Sequence, residues 1–171
     1  MSKATLDLID GLDAADLADK LDRLYCYEQV VAHWCQAVDN RLTGPATFLL
    51  PDELTEVAEA ARATGERLAG RIAQLGGKIT ANPSAFVARA PIERFEVPAD
   101  PADLSGILAL ALRYERLAIG AYAALSERVR DHDVVTHRLL VKILAAKLER
   151  EDDIEAVLTA PDRQLHVEVQ H

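Results

Sequence analysis

Between residues 134 and 159 the apolar side chains recur at the spacing of a single helical face. At about 100° per residue, Leu140, Ile143, Ile154 and Leu158 fall on one side. Lys147 stands in the middle of that stripe, and Arg150 lies at its margin. Three earlier segments carry the same period. From about Asp16 to Leu42 the stripe is Leu17, Leu21, Leu24, Val31, Cys35, Val38 and Leu42, with Glu28 in its middle. From "PDELTE" to "LGG" it is Leu54, Val57, Leu68, Ile72 and Leu75, with the small Ala61 at its centre and Thr64 one turn on. From Pro101 or Ala102 to Arg130 it is Leu108, Leu112, Ile119 and Tyr122, interrupted by Glu115. The pattern predicts four long helices, each presenting one unusual residue at a similar depth.

The punctuation between the stripes sets the topology. "TGP" ends the first helix, "LGG" reads as a C-cap for the second, and "APD" closes the fourth. The stretch from Lys78 to Asp103 holds Pro83, Pro91, Pro98 and Pro101 and has no helical period, so it reads as one long connection. Short joints make the first and second helices antiparallel neighbours, and likewise the third and fourth. A helix of ~26 residues spans about 39 Å, which ~25 extended residues can cross. The expected fold is therefore all-α: a ferritin-like antiparallel four-helix bundle with one long crossover between its second and third helices. It forms a single domain over residues 1–171, with the bundle at about 16–160, a short N-terminal lead-in turn or helix, and an alternating C-terminal tail, "RQLHVEVQH".

Composition narrows the function. With 171 residues, half of them apolar, the chain can bury a sizeable core. A net charge of -9 argues against a nucleic-acid partner, because phosphate binding needs a basic surface. No run approaches the ~20 apolar residues of a membrane span, and no signal segment is evident, so a cytoplasmic protein is expected. Cys26 and Cys35 are nine residues apart on one helix, roughly 13 Å, too far for an intrahelical disulfide. They read as small core thiols in a reducing compartment rather than as a redox pair.

Lys147 raises the chemical question, since lysines are seldom buried without a partner. Glu28 and Glu115, mid-stripe on two other helices, are the obvious partners. Two buried carboxylates a few ångströms apart cannot both stay ionised without cations. Lys147 and Arg150 would supply two positive charges against their two negative ones. Blander readings compete: a Lys147 that snorkels to the surface, glutamates solvated at the bundle margin, and an Arg150 engaged in an exposed salt bridge. Tyr25 and Tyr122 read as hydrogen-bonding inside the bundle; alternatively, as site neighbours, either supports chemistry near the carboxylates.

The stretches "LYCYEQVVAHW", "RLAGRIAQLGGKI", "VPADPADLSGILALALRYERLAIGAY" and "VKILAAKLEREDD" resemble the ferritin-like superfamily, and within it the Dps-like ferritins of archaeal and bacterial type. The likeness covers most of residues 16 to 158. It implies a di-iron site built from one Glu on each of two helices and a Glu-x-x-His on each of the other two. Glu28 and Glu115 match the single glutamates. The register of the paired motifs lands on Ala61 and Thr64 and on Lys147 and Arg150, so four of the six ligand positions of the implied site are replaced. Read this way, Glu28, Ala61, Thr64, Glu115, Lys147 and Arg150 form a vestigial site that holds no metal or other cofactor. The resemblance also implies a homo-oligomer, most plausibly a dodecamer, or a mixed shell with an intact ferritin paralogue. Three functions follow as alternatives. The first is a metal-free structural or assembly protein that is not a ferroxidase. The second is a repurposed enzyme or small-molecule binder using the vestigial site. The third is an iron-storage shell without ferroxidase activity.

Overall fold

The computed structural model describes Ile9, residues 11–92 and residues 95–159. Among these residues it is helical, with no strand. The elements are α1 (Ala14–Asp39), a short α2 (Ala46–Leu49), α3 (Pro51–Gln74), a 3-10 turn (Pro83–Ala85) running into a short α4 (Phe86–Arg89), α5 (Leu104–Val129) and α6 (Val134–Thr159). The four long helices form the expected antiparallel bundle, with α1 packed on α3 and α5 on α6. Residues 75 to 103 form the crossover. The alternating C-terminal tail and most of the lead-in lie outside the described residues; Gly11 to Asp13 form no helix.

Side-chain chemistry explains the helix boundaries. Asp13 caps α1 by accepting a hydrogen bond from the Ala15 N–H at 2.8 Å. Asp103 does the same for α5, from the Gly106 N–H at 2.9 Å. That cap moves the start of α5 to Leu104, later than the Pro101 or Ala102 expected. Pro51 begins α3, where its missing N–H costs nothing. At the far end of α3, Gly76 adopts φ 80°, and the Gly77 N–H reaches back to the Ile72 carbonyl at 2.9 Å. This is a Schellman closure that "LGG" foreshadows. The first helix stops at Asp39 rather than Leu42, because Arg41 and Leu42 bond three residues back and tighten the last turn. Leu42 still packs against the core.

Two anchors hold the crossover, which carries more structure than its prolines suggest. Near its start, Asp22 on α1 is buried and accepts from the Thr80 N–H and hydroxyl, each at 2.7 Å, and from Arg89 Nε at 2.9 Å. Further on, the Trp34 indole donates to the Glu96 carbonyl at 2.7 Å, and the Tyr114 hydroxyl bonds the same peptide. Phe95 packs between Tyr114 and Tyr27, with ring centroids 4.9 and 6.1 Å away. These ties demand that α1 be buried on several sides, and Leu17, Leu21, Tyr27, Glu28, Trp34 and Cys35 are all buried.

A second polar tie joins the bundle end. Arg71 sits in the apolar stripe of α3 yet is buried. It donates to Asp133 Oδ2 at 2.7 Å, to the Thr136 hydroxyl at 2.7 Å and to the Gln74 side chain at 2.9 Å. Asp133 in turn caps α6 through the Val135 and Thr136 N–H groups. Burial would push the Asp133 carboxyl up, but the bonds from Thr136 and Arg71 overcome it and hold the group below its ordinary value.

Candidate functional site

Half-way along the bundle, three helices aim charge at one point. Glu28 comes from α1, Glu115 from α5, and Lys147 and Arg150 from α6. The Lys147 ammonium lies 3.1 Å from Glu28 Oε1 and 3.6 Å from Glu115 Oε2. Arg150 Nη1 reaches Glu115 Oε1 at 3.3 Å. The Tyr122 hydroxyl donates to Glu28 Oε1 at 2.7 Å. Lys147 therefore does not snorkel: its side chain is 5% exposed, against 1% for Glu28 and 5% for Glu115. Arg150, at 23%, is the most exposed of the four charged side chains.

The cluster is electrically closed. Two carboxylates face two cations, and among the described residues no buried side-chain nitrogen or oxygen lacks a partner. Burial raises the Glu115 carboxyl above its ordinary range; Lys147 and Arg150 oppose that rise and the Glu28 charge adds to it. Burial, reinforced by the two glutamates, lifts the Tyr27 and Tyr122 phenols well above theirs. Both tyrosines therefore stay protonated, and Tyr122 is a donor to Glu28.

Of the residues singled out by pattern, Glu28, Glu115, Lys147, Arg150 and Tyr122 meet here. Ala61 is buried and Thr64 half-buried on α3, and neither brings charge. Tyr25 does not belong to the group. Its ring turns toward the crossover and meets Phe86 edge-on at 6.1 Å, on a face of α1 that packs against Gly65 of α3. Tyr27, which the sequence reading did not single out, stands where Tyr25 was expected. Fully buried, it lays its ring 5.1 Å from the Lys147 nitrogen and donates its hydroxyl to the Tyr114 carbonyl at 3.3 Å. The spacing Leu24, Tyr27, Val31 on the apolar stripe is the signal that identifies it. Cys26 and Cys35 are both buried and free; burial pushes the Cys35 thiol up to about 12.

The chain belongs to the ferritin-like family: the ferritin-like domain model matches residues 18–163. The DNA protection during starvation protein of Pyrococcus furiosus is 28% identical over 153 residues, covering 87% of this chain and 80% of that protein. In fold, the chain is similar to the dodecameric thioferritin of Bacteroides fragilis, a bacterioferritin-related protein. That match has a TM-score of 0.83 at 24% identity and covers 92% of this chain and 94% of the other. The Dps of Mycobacterium smegmatis superposes with a TM-score of 0.76 at 22% identity, over 95% of this chain and 94% of that one.

A ferritin-like fold implies a pair of metal ions, and the residues present do not fit them. A metal needs free carboxylate lone pairs and, in this family, imidazole nitrogens. Here an ammonium stands against both carboxylates and a guanidinium against one of them, and among the described residues no imidazole joins the cluster. Among the described residues, no group of three His, Cys, Asp or Glu side chains is arranged to hold a metal ion. A cleft of about 470 Å³ is lined by Asp13, Asp19, Asp22, Gly77, Lys78 and Arg89 among others, and includes no cluster residue. No described helix is long and apolar enough to cross a membrane.

Proposed function

We propose that this protein is a Dps-related ferritin-like subunit in which protein cations take the place of the di-iron centre, and that its role is to build a shell rather than to oxidise iron. The observation that carries this reading is the position of the Lys147 ammonium, 3.1 and 3.6 Å from the two carboxylates at the bundle centre. A divalent ion entering there meets two fixed positive charges and must displace both from their partners. The match to a thioferritin described as dodecameric supports a closed homo-oligomer. Phe48, 88% exposed on α2, is the kind of surface an assembly covers. The same surfaces would serve a mixed shell with a metal-competent paralogue. The mutual pairing of two carboxylates with two cations favours this reading over a small-molecule enzyme, which needs an unpaired group facing its ligand.

Light scattering and an iron-oxidation assay on one preparation test the proposal. A closed assembly that leaves the rate of Fe²⁺ oxidation by oxygen at its protein-free value is expected. A monomer at micromolar concentration, or rapid stoichiometric oxidation that depends on Glu28 and Glu115, would overturn it.

A further inference from the structure

We infer that the centre of the bundle is an alkylammonium cage and that Lys147 is its resident ligand. The inference rests on the reading that protein charge, not metal, occupies this position, and it goes on to name the chemistry the surrounding walls select. The Lys147 nitrogen has four buried neighbours of two kinds. Glu28 and Glu115 supply anionic oxygens at 3.1 and 3.6 Å. The Tyr27 and Tyr122 rings supply π faces, with centroids 5.1 and 5.4 Å from the nitrogen. Both tyrosines are 0% exposed, so their cation–π contacts are formed away from water, where such contacts are strongest.

This set of walls suits an organic cation better than a metal. A ring face attracts positive charge through its quadrupole but offers no lone pair for coordination. Neither phenol oxygen is free to act as a ligand. The Tyr122 hydroxyl is committed to Glu28 at 2.7 Å and the Tyr27 hydroxyl to the Tyr114 carbonyl at 3.3 Å. An ammonium on an alkyl stem uses every wall: its N–H groups meet the carboxylates, and its charge lies near both rings. Arg150, on the solvent side, faces Glu115 and leaves the ring pocket to Lys147. The aromatic and acidic residues thus form a receptor whose ligand is covalently tethered to α6.

Removing the tether tests the idea. Lys147→Ala deletes a propylammonium fragment and leaves its walls in place. The thermal midpoint of this variant is measured against methyl-, ethyl-, n-propyl- and n-butylammonium chloride at constant ionic strength. Sodium chloride and n-propanol serve as controls, and manganese chloride as the metal probe. The expected result is a saturable rise that is largest for n-propylammonium and absent in the wild type, with apparent affinity several-fold weaker when Tyr27→Leu is added. If the variant does not fold alone, refolding with and without n-propylammonium is the readout, and recovery only with the amine supports the cage. Rescue without chain-length preference, equal rescue by propanol or salt, preferential rescue by Mn²⁺, or failure of every amine would overturn it. Loss of amine rescue in a variant that takes up no metal refutes the cage alone. Iron oxidation by the wild type refutes the shell reading instead.

Discussion

Replacing Lys147 by alanine leaves Glu28 and Glu115 facing each other with only Arg150 to offset them, a net charge of about -1 in a buried site. An ion pair at 3.1 Å is worth roughly 5 kcal/mol gross at an effective dielectric of about 20, and the pair at 3.6 Å nearly as much. Desolvation of the ammonium and of both carboxylates offsets much of that in the wild type. Removing one partner leaves the carboxylate desolvation uncompensated, and the expected loss is about 3–5 kcal/mol. The loss depends on pH with a definite sign. Burial already raises the Glu115 carboxyl, and Lys147 is the leading opponent of that rise, so the variant lifts it further. A carboxylate whose pKa is higher folded than unfolded binds more protons in the native state. Stability then falls as pH climbs above the unfolded value, about 4.3 for a glutamate. The deficit should be largest at neutral and alkaline pH and shrink in acid. Urea unfolding followed by circular dichroism at matched protomer concentration measures it. The double variant Glu28→Gln/Lys147→Met should recover much of the loss, because charge leaves both sides together. A change below about 1 kcal/mol with no coupling between positions 28 and 147 would refute the ion-cluster account.

Three further outcomes follow. Tyr122→Phe should cost about 1.5–3 kcal/mol, because it removes a buried hydrogen bond to the charged Glu28; thermal unfolding checks this. Arg71→Ala should cost about 3–5 kcal/mol by stranding the buried Asp133. Because the Asp133 carboxyl is held below its ordinary 3.8, its stabilising contribution in the wild type is present above that pH and is lost as pH falls through the lowered value, which an acid titration of stability would follow. Gly76→Ala should cost about 1 kcal/mol, because φ 80° is strained for any residue with a Cβ, while Gly70→Ala, with open space around its Cβ, should not destabilise; paired melting curves compare them.

The parts of this fold that repeat along the chain were legible from it. Helical periodicity located all four long helices, and α6 runs from Val134 to Thr159 as its pattern predicts. A charged residue in the middle of an apolar stripe was a readable signal too, since Lys147, Glu28 and Glu115 each broke a regular pattern. What the pattern missed depends on contacts between distant segments. Arg71 lies in a stripe as Lys147 does, but its partners Asp133 and Thr136 sit at the start of α6, more than 60 residues away, as the hydrogen bonds show. Tyr25 and Tyr27 are near-equivalent by composition. The stripe spacing marks Tyr27 for the core, where it meets Lys147, but only the packing of α1 between α3 and the crossover turns Tyr25 toward Phe86. A single-face reading of α1 cannot foresee a second packed face.

If protein cations fill the position a metal pair would take, anaerobic Fe²⁺ titration followed by elemental analysis will find that position closed to iron. The wild-type protein, loaded, desalted and assayed per chain, should retain less than about one tightly bound iron at the bundle centre, because each entering ion must displace Lys147 or Arg150 from a carboxylate. Two irons per chain, lost together in the Glu28→Gln/Glu115→Gln variant, would contradict the account.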